Sequence, residues 1–226
     1  MRLFRPLLSG ASLPDRVAAG LGALFGVMLT GLFAALAAGQ WPAPWLVAPI
    51  GASAVLVFAV PASPLAQPWP VIGGNMLSAV VALIVVRLIP APALATGVAV
   101  GAAIVAMSIA RCLHPPGGAV ALSVVLMSTT GSPAGWLFPL LPVALDSALL
   151  VCAGVAFHRV SGHAYPHRAV AAAAPSAFAP EDVDAALADM HESFDIGRDD
   201  LDALLAGAAR HAAIRRERSA RSSPRR

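Results

Sequence analysis

The stretch RCLHPPGGAVAL, residues 111–122, sets an arginine and a histidine between two long apolar segments and follows them with two prolines and two glycines. Pro115 and Pro116 lack N–H groups and suit the first turn of a helix, while Gly117 and Gly118 leave the backbone uncovered. A helix start of this kind is costly in apolar surroundings unless protein or a water-filled cavity satisfies its polar groups. What surrounds it therefore decides the fold.

The 226 residues are 58% hydrophobic and 12% charged, with a mean hydropathy of +0.76. Between Val17 and Phe157 the formally charged residues are Arg87, Arg111 and Asp146 alone. A water-soluble fold of this size cannot cover itself with so little polar surface, so the sequence predicts an all-α polytopic membrane helical bundle. The lipid bilayer is its first partner. The basic residues, all arginine, give a net charge of +3 and cluster toward the two ends without aromatic interleaving, so no nucleic acid is expected. Cys112 and Cys152 make no metal or redox spacing, and His158, His163 and His167 lack a second ligand cluster; neither a metal nor a cofactor is expected. The N-terminal basic head resembles a signal peptide, but its apolar run of roughly 22 residues exceeds a signal core and suits a first spanning helix.

Working outward from 111–122, six apolar segments follow one another at about 17–38, 45–60, 71–89, 94–110, 117–130 and 137–157. The second and fifth fall short of the roughly 20 residues of a perpendicular span and begin at proline-glycine breaks. PIGASAVL at 49–56 and PPGGAVAL at 115–122 share a Pro-x-Gly-small start and a following leucine, and each leads to a Ser-Pro turn (Ser63-Pro64, Ser132-Pro133) and another long segment. That pattern predicts two broken-helix repeats. Arginines before the first segment and after the last place both termini in the cytoplasm of an inner or plasma membrane and require an even number of crossings. Four crossings would leave Arg87 inside; six would make the repeats inverted, with Arg111 inside and Arg87 outside. Charge alone leaves both open. Gly22, Gly26 and Thr30, and Gly97 and Gly101, are spaced for close helix packing.

The resulting organisation is a cytoplasmic segment at 1–16, a transmembrane domain at 17–157, a juxtamembrane linker at 158–180, an acidic amphipathic helical appendage at 181–218, and a disordered basic tail at 219–226. Residues 181–202 carry nine acidic residues against one arginine.

The candidate site is built on the two breaks. Residues 117–120 would offer helix N-terminal amides to an anion; Arg111 and His114 add positive potential, and Pro115, Pro116, Gly117 and Gly118 shape the helix start. Ser53 supplies a hydroxyl at the first break, and Asn75 and Gln67 supply amide donors. Asp146, alone in the last span, reads either as a structural partner of Arg111 or Arg87 or as a carrier of a coupling proton.

These residues carry a resemblance. Arg111-Cys112-Leu113-His114-Pro115-Pro116-Gly117-Gly118-Ala119, with APIGASAVLVFAVPASPLAQP at 48–68, GGN at 73–75, SGHAYPH at 161–167 and EDVDAAL at 181–187, resembles the HPP family of integral membrane proteins. The resemblance implies four membrane-spanning helices, and its chloroplast and cyanobacterial members are implicated in nitrite transport. Bacterial members often continue into nucleotide-sensing CBS domains; those would begin where this sequence ends, so nucleotide control is not expected of it. Together the residues and the resemblance predict a transporter or channel for a small anion, nitrite first. The alternative is a membrane-anchored sensor or assembly module working through the helical tail, with a homo-oligomer or a cytoplasmic protein as further partner. No enzyme is expected, because no nucleophile-base pair stands out in the sequence.

Overall fold

The computed structural model describes residues 13–39, 46–168, 178–192 and 194–222, and all regular structure in them is helical. The chain divides into two compact units, Met1–His167 and Arg168–Arg226. In the first, α1 spans Leu13–Ala38, α2 Ile50–Ala59, α3 Asn75–Leu88, α4 Pro92–Ile109, α5 Pro115–Thr129 and α6 Leu145–Ser161. Wide π-type turns lead into two of them: Pro70–Gly74 into α3, and Pro139–Ala144, broken at Leu141, into α6. Four stretches are long and apolar enough to cross a bilayer: Leu13–Ala37, Pro70–Leu88, Pro92–Ile109 and Pro139–Ser161. Helix α2, with 10 residues, rises only about 15 Å and α5, with 15 residues, about 22 Å, against a hydrocarbon core of about 30 Å.

Packing contacts fix the helix directions. A methyl on Gly22 would lie 2.6 Å from Phe58 and 2.9 Å from Phe157, and one on Gly26 would lie 2.6 Å from Phe58 and 3.3 Å from Leu150. Helix α1 therefore runs antiparallel to α6. Val47 meets Asp146, and the Val57 carbonyl meets His158, so α2 runs parallel to α6. Asn75 of α3 meets Ser147, whereas Arg87 at the other end of α3 stacks 4.0 Å over Trp136, just before α6 begins. Thus α3 returns antiparallel to α6. The end of α4 lies beside the start of α3, where Trp69 donates to the Ala110 carbonyl at 3.2 Å, and α5 starts beside Ser78. The passes alternate: four long and two short. The four spans implied by the resemblance are the long ones, and α2 and α5 add partial passes in opposite directions. Arg111 lies toward the end of the bundle that carries Leu13 and Ser161, and Arg87 at the other end.

The two predicted repeats, α1–α3 and α4–α6, exchange their third helices. Helix α6 packs on α1 and α2, and α3 packs on α4 and α5. Each group has its own buried core. One joins Ala79, Leu83, Ala99 and Val124 with Val143 from the turn before α6; the other joins Ile50, Val57 and Leu150 with Val71 from the turn before α3. The sequence shows the repeat but not the exchange, because periodicity fixes which face is apolar and not which neighbour covers it.

Three expectations are corrected. Gly97 and Gly101 stand exposed, with nothing within 4 Å of an added methyl, so among the described residues they make no close helix contact, unlike Gly22 and Gly26. The linker predicted from residue 158 is folded at its start: α6 continues to Ser161, and Tyr165 is buried in the α2/α6 core with its hydroxyl donating to the Ala66 carbonyl at 2.9 Å. The tail predicted to be disordered from residue 219 is helical to Ser222, where arginine and alanine are good helix formers and positive charge suits the last turns. Residues 223–226, residues 1–12 of the N-terminal segment and residues 169–177 of the linker lie outside the described residues.

In the second unit, Arg198 ties α7 (Pro180–Met190) to the start of α8 (Arg198–Ser222). Arg198 pairs with Asp184, bonds Asp202 at 3.2 Å, and donates to the Pro180 carbonyl at 3.0 Å. The single arginine among nine acidic residues is thus the clasp of the hairpin.

Candidate functional site

Helix α4 stops in a left-handed turn. Arg111 takes φ 53°, where glycine is usual, while Arg111 N–H bonds the Ser108 carbonyl at 3.2 Å and Cys112 N–H the Met107 carbonyl at 2.9 Å. This turn sends Cys112–His114 against the glycines before α3. A methyl on Gly74 would lie 2.5 Å from the Cys112 carbonyl and 2.7 Å from the His114 Cβ. The close approach drives His114 into the bundle, where it is fully buried.

There it joins residues from three other elements. The His114 Nδ1 lies 2.9 Å from the Leu65 carbonyl, which can only accept, so Nδ1 carries hydrogen. In the neutral ring Nε2 then accepts, and Ser53 donates its hydroxyl hydrogen to it across 2.8 Å. The Asn75 amide donates to Ser53 Oγ at 3.2 Å and to Ser147 Oγ at 3.1 Å, and Ser147 donates to the Val143 carbonyl at 2.8 Å. All four side chains are 0% exposed. Ser53 and Ser147 belong to the α1/α2/α6 group, Asn75 and His114 to the α3/α4/α5 group. Every bond among the four crosses the boundary between the groups.

Two oxygens beside this seam have no partner. Asn75 Oδ1 and Asp146 Oδ1 are buried without a hydrogen bond, although Asp146 Oδ2 accepts the Val47 N–H at 3.0 Å. Such orphaned acceptors are uncommon in folded proteins and mark a place where a donor is wanted.

The structure brings together three of the candidate residues, Ser53, Asn75 and His114, and separates the rest by role. Pro116 and Gly117 are buried in the α3/α4/α5 contact, Gly118 is half-buried and Pro115 is exposed. The open amide cradle is corrected. Gly117 N–H is taken by the His114 carbonyl at 2.8 Å, and at α2 the N–H groups of Ile50, Gly51 and Ser53 are taken by Val47, Ala48 and Pro49. Both helix starts wind inward on their own backbone. Asp146 pairs with neither arginine: Arg87 is held by the Leu83 carbonyl and Trp136, and Arg111 is exposed. Gln67 is a brace, donating to the Pro61 and Ser63 carbonyls and accepting from His167 N–H at 2.8 Å. Sequence reading missed Ser147, although it follows the singled-out Asp146 on the same helix start. It also missed the Ser53–His114 hydroxyl-imidazole pair, whose members are 61 residues apart.

With this geometry in hand, comparison places the chain. The HPP transmembrane region matches residues 9–166. The chain belongs to the HPP family. The chain is also similar to two transmembrane proteins of Dictyostelium discoideum, 40% identical over 111 residues and 41% identical over 110 residues, each match covering 47% of this chain. The matched stretches span 35% and 38% of those proteins, little over a third of their length. No solved structure matches. The chain is a multi-pass integral membrane protein in which the HPP motif supplies His114, the start of α5 and the glycine contact that buries them.

Proposed function

We propose that this HPP protein carries a small anion across the membrane, nitrite being the first candidate. One observation carries the reading: the starts of two short, oppositely directed helices meet in the bundle interior, at a buried polar seam lying between two helix groups. Carriers built from inverted repeats place their binding site at such a junction of broken helices. A polar seam of this kind in an apolar bundle is costly to retain without a role. Three cross-boundary hydrogen bonds at about 1 kcal/mol each are a modest barrier to the two groups rocking apart, so the seam suits alternating exposure to either side. The turns before α3 and α6, each seated in the other group's core, are suited to act as hinges.

Arg16, Arg111 and Arg159 lie toward one end of the bundle and Arg87 toward the other, which supports a cytoplasmic location for the end where α1 begins and α6 ends. The exposed Arg111 there raises the local anion concentration at the inner mouth. The Ser53–His114 pair serves as a solute-handling relay rather than a nucleophile and base: the third partner, on His114 Nδ1, is a neutral carbonyl and not a carboxylate, and Ser53 Oγ is itself engaged by the Asn75 amide. The test is uptake of nitrite, nitrate and formate into vesicles reconstituted with the protein. Flux above protein-free vesicles for at least one anion is expected, and its loss in Asn75→Ala; no flux for any of the three refutes the proposal.

A further inference from the structure

Resting on that transport reading, we infer that the anion moves together with one proton, held on His114, whose arrival reverses the hydrogen bonds through Ser53 to the amide of Asn75. The bonding leaves little freedom. With His114 neutral, its Nδ1 hydrogen goes to Leu65, the Ser53 hydrogen to Nε2, both Asn75 amide hydrogens to the two serines, and the Ser147 hydrogen to Val143. Every side-chain donor of the seam is committed, and the unpartnered atoms, Asn75 Oδ1 and Asp146 Oδ1, are both acceptors. In this state the seam repels a bare anion.

A proton on His114 Nε2 reverses the order. The ring then donates to Ser53 Oγ, and the Ser53 hydrogen needs a new acceptor. Asn75 is within reach at 3.2 Å, but it can accept only by turning its amide over. That turn brings Oδ1 toward the serines and the NH₂ group to the place of the orphaned oxygen. The seam now presents amide hydrogens beside an imidazolium, which is an anion site. Loss of the proton on the other side restores the acceptor face and releases the anion. The His114 Nε2–H bond is the one covalent bond made and broken: its proton enters from water on one side and leaves to water on the other. The ionisable groups on the elements around His114 are Arg111 and Cys112 on its own turn, Asp146 near the start of α6 with Cys152, His158 and Arg159 further along it, and Arg87 at the far end of α3; α2, α5 and the 61–67 loop carry none.

The experiment uses vesicles containing the full chain and a trapped pH dye, driven by sodium nitrite or sodium nitrate gradients against protein-free controls. Nitrate is included because its acid does not cross lipid unaided. One proton is expected to move with each anion, and influx is expected to fall by about tenfold per pH unit on the alkaline side, as a single required proton dictates. Ser53→Ala, checked for folding by its melting temperature, is expected to lower flux and flatten that profile. Anion flux with no proton movement, or a Ser53→Ala profile as steep as that of the parent, overturns the inference and leaves the transport reading standing. No flux of either anion refutes both.

Discussion

Gly117 and Gly118 are neighbours in one motif, and the structure assigns them opposite sensitivities to a single methyl group. At Gly117 the added Cβ would lie 2.6 Å from Ser78 Oγ, 2.8 Å from Met107 Sδ and 3.1 Å from the Gly74 carbonyl; at Gly118 its nearest neighbour would be Val100 at 3.9 Å. Both substitutions gain the same helix propensity, up to about 1 kcal/mol over glycine, so that gain cancels when the two variants are compared. What remains is the overpacking at 117, where Met107 can shift but the α3 backbone cannot. Overfilled cores of this kind cost about 1–3 kcal/mol. At about 2–4 °C per kcal/mol for a chain of this size, Gly117→Ala should melt roughly 5 °C below Gly118→Ala in the same detergent. Gly118→Ala should match or slightly exceed the parent. Equal melting of the two variants would falsify the α3–α5 contact that buries His114.

Other consequences can be checked separately. Tyr165→Phe leaves the buried Ala66 carbonyl without its donor, at a cost of about 1–3 kcal/mol, read as a lower melting temperature. Burial pushes the Tyr165 hydroxyl above its ordinary 10.0, so its contribution is intact below that pH and is lost as pH rises beyond it; Tyr165→Phe should show a shallower alkaline fall in stability than the parent. Arg111→Gly removes a left-handed arginine, which should raise stability by about 1 kcal/mol, while anion flux falls with the lost charge; unchanged flux would separate Arg111 from transport. Ala91→Cys, beside Arg87, and Leu113→Cys, beside Arg111, should label with an impermeant thiol reagent from opposite sides of the membrane. Labelling of both from one side contradicts the alternating passes.

The bundle was legible in the sequence because three charges in some 140 residues leave no other solution, and the short α2 and α5 were legible because each opens on a proline-glycine break. Their directions were not. Arg87 and Arg111 argue for different topologies, and only the contacts of Trp136 with Arg87 and of Gly74 with the 111–114 turn decide between them. The site was half legible. Ser53, Asn75 and His114 stand out as polar residues at helix breaks, but that their hydrogen bonds link them to Ser147 depends on the exchange of α3 and α6, which no local pattern encodes. The amide cradle was misread for a local reason: a helix start without a side-chain cap satisfied its first N–H groups by tightening on its own carbonyls. The stop of α4 was hidden because its left-handed residue is an arginine where a glycine would have announced it.

The most direct test of the central claim asks whether water and anions reach the seam. Ser53→Cys, in a chain whose exposed Cys152 is replaced by serine, should react with a small water-soluble thiol reagent in reconstituted vesicles, and nitrite should slow that reaction. Complete inertness of the Ser53→Cys thiol, under conditions where Leu113→Cys is modified, would show a sealed seam and contradict transport through it.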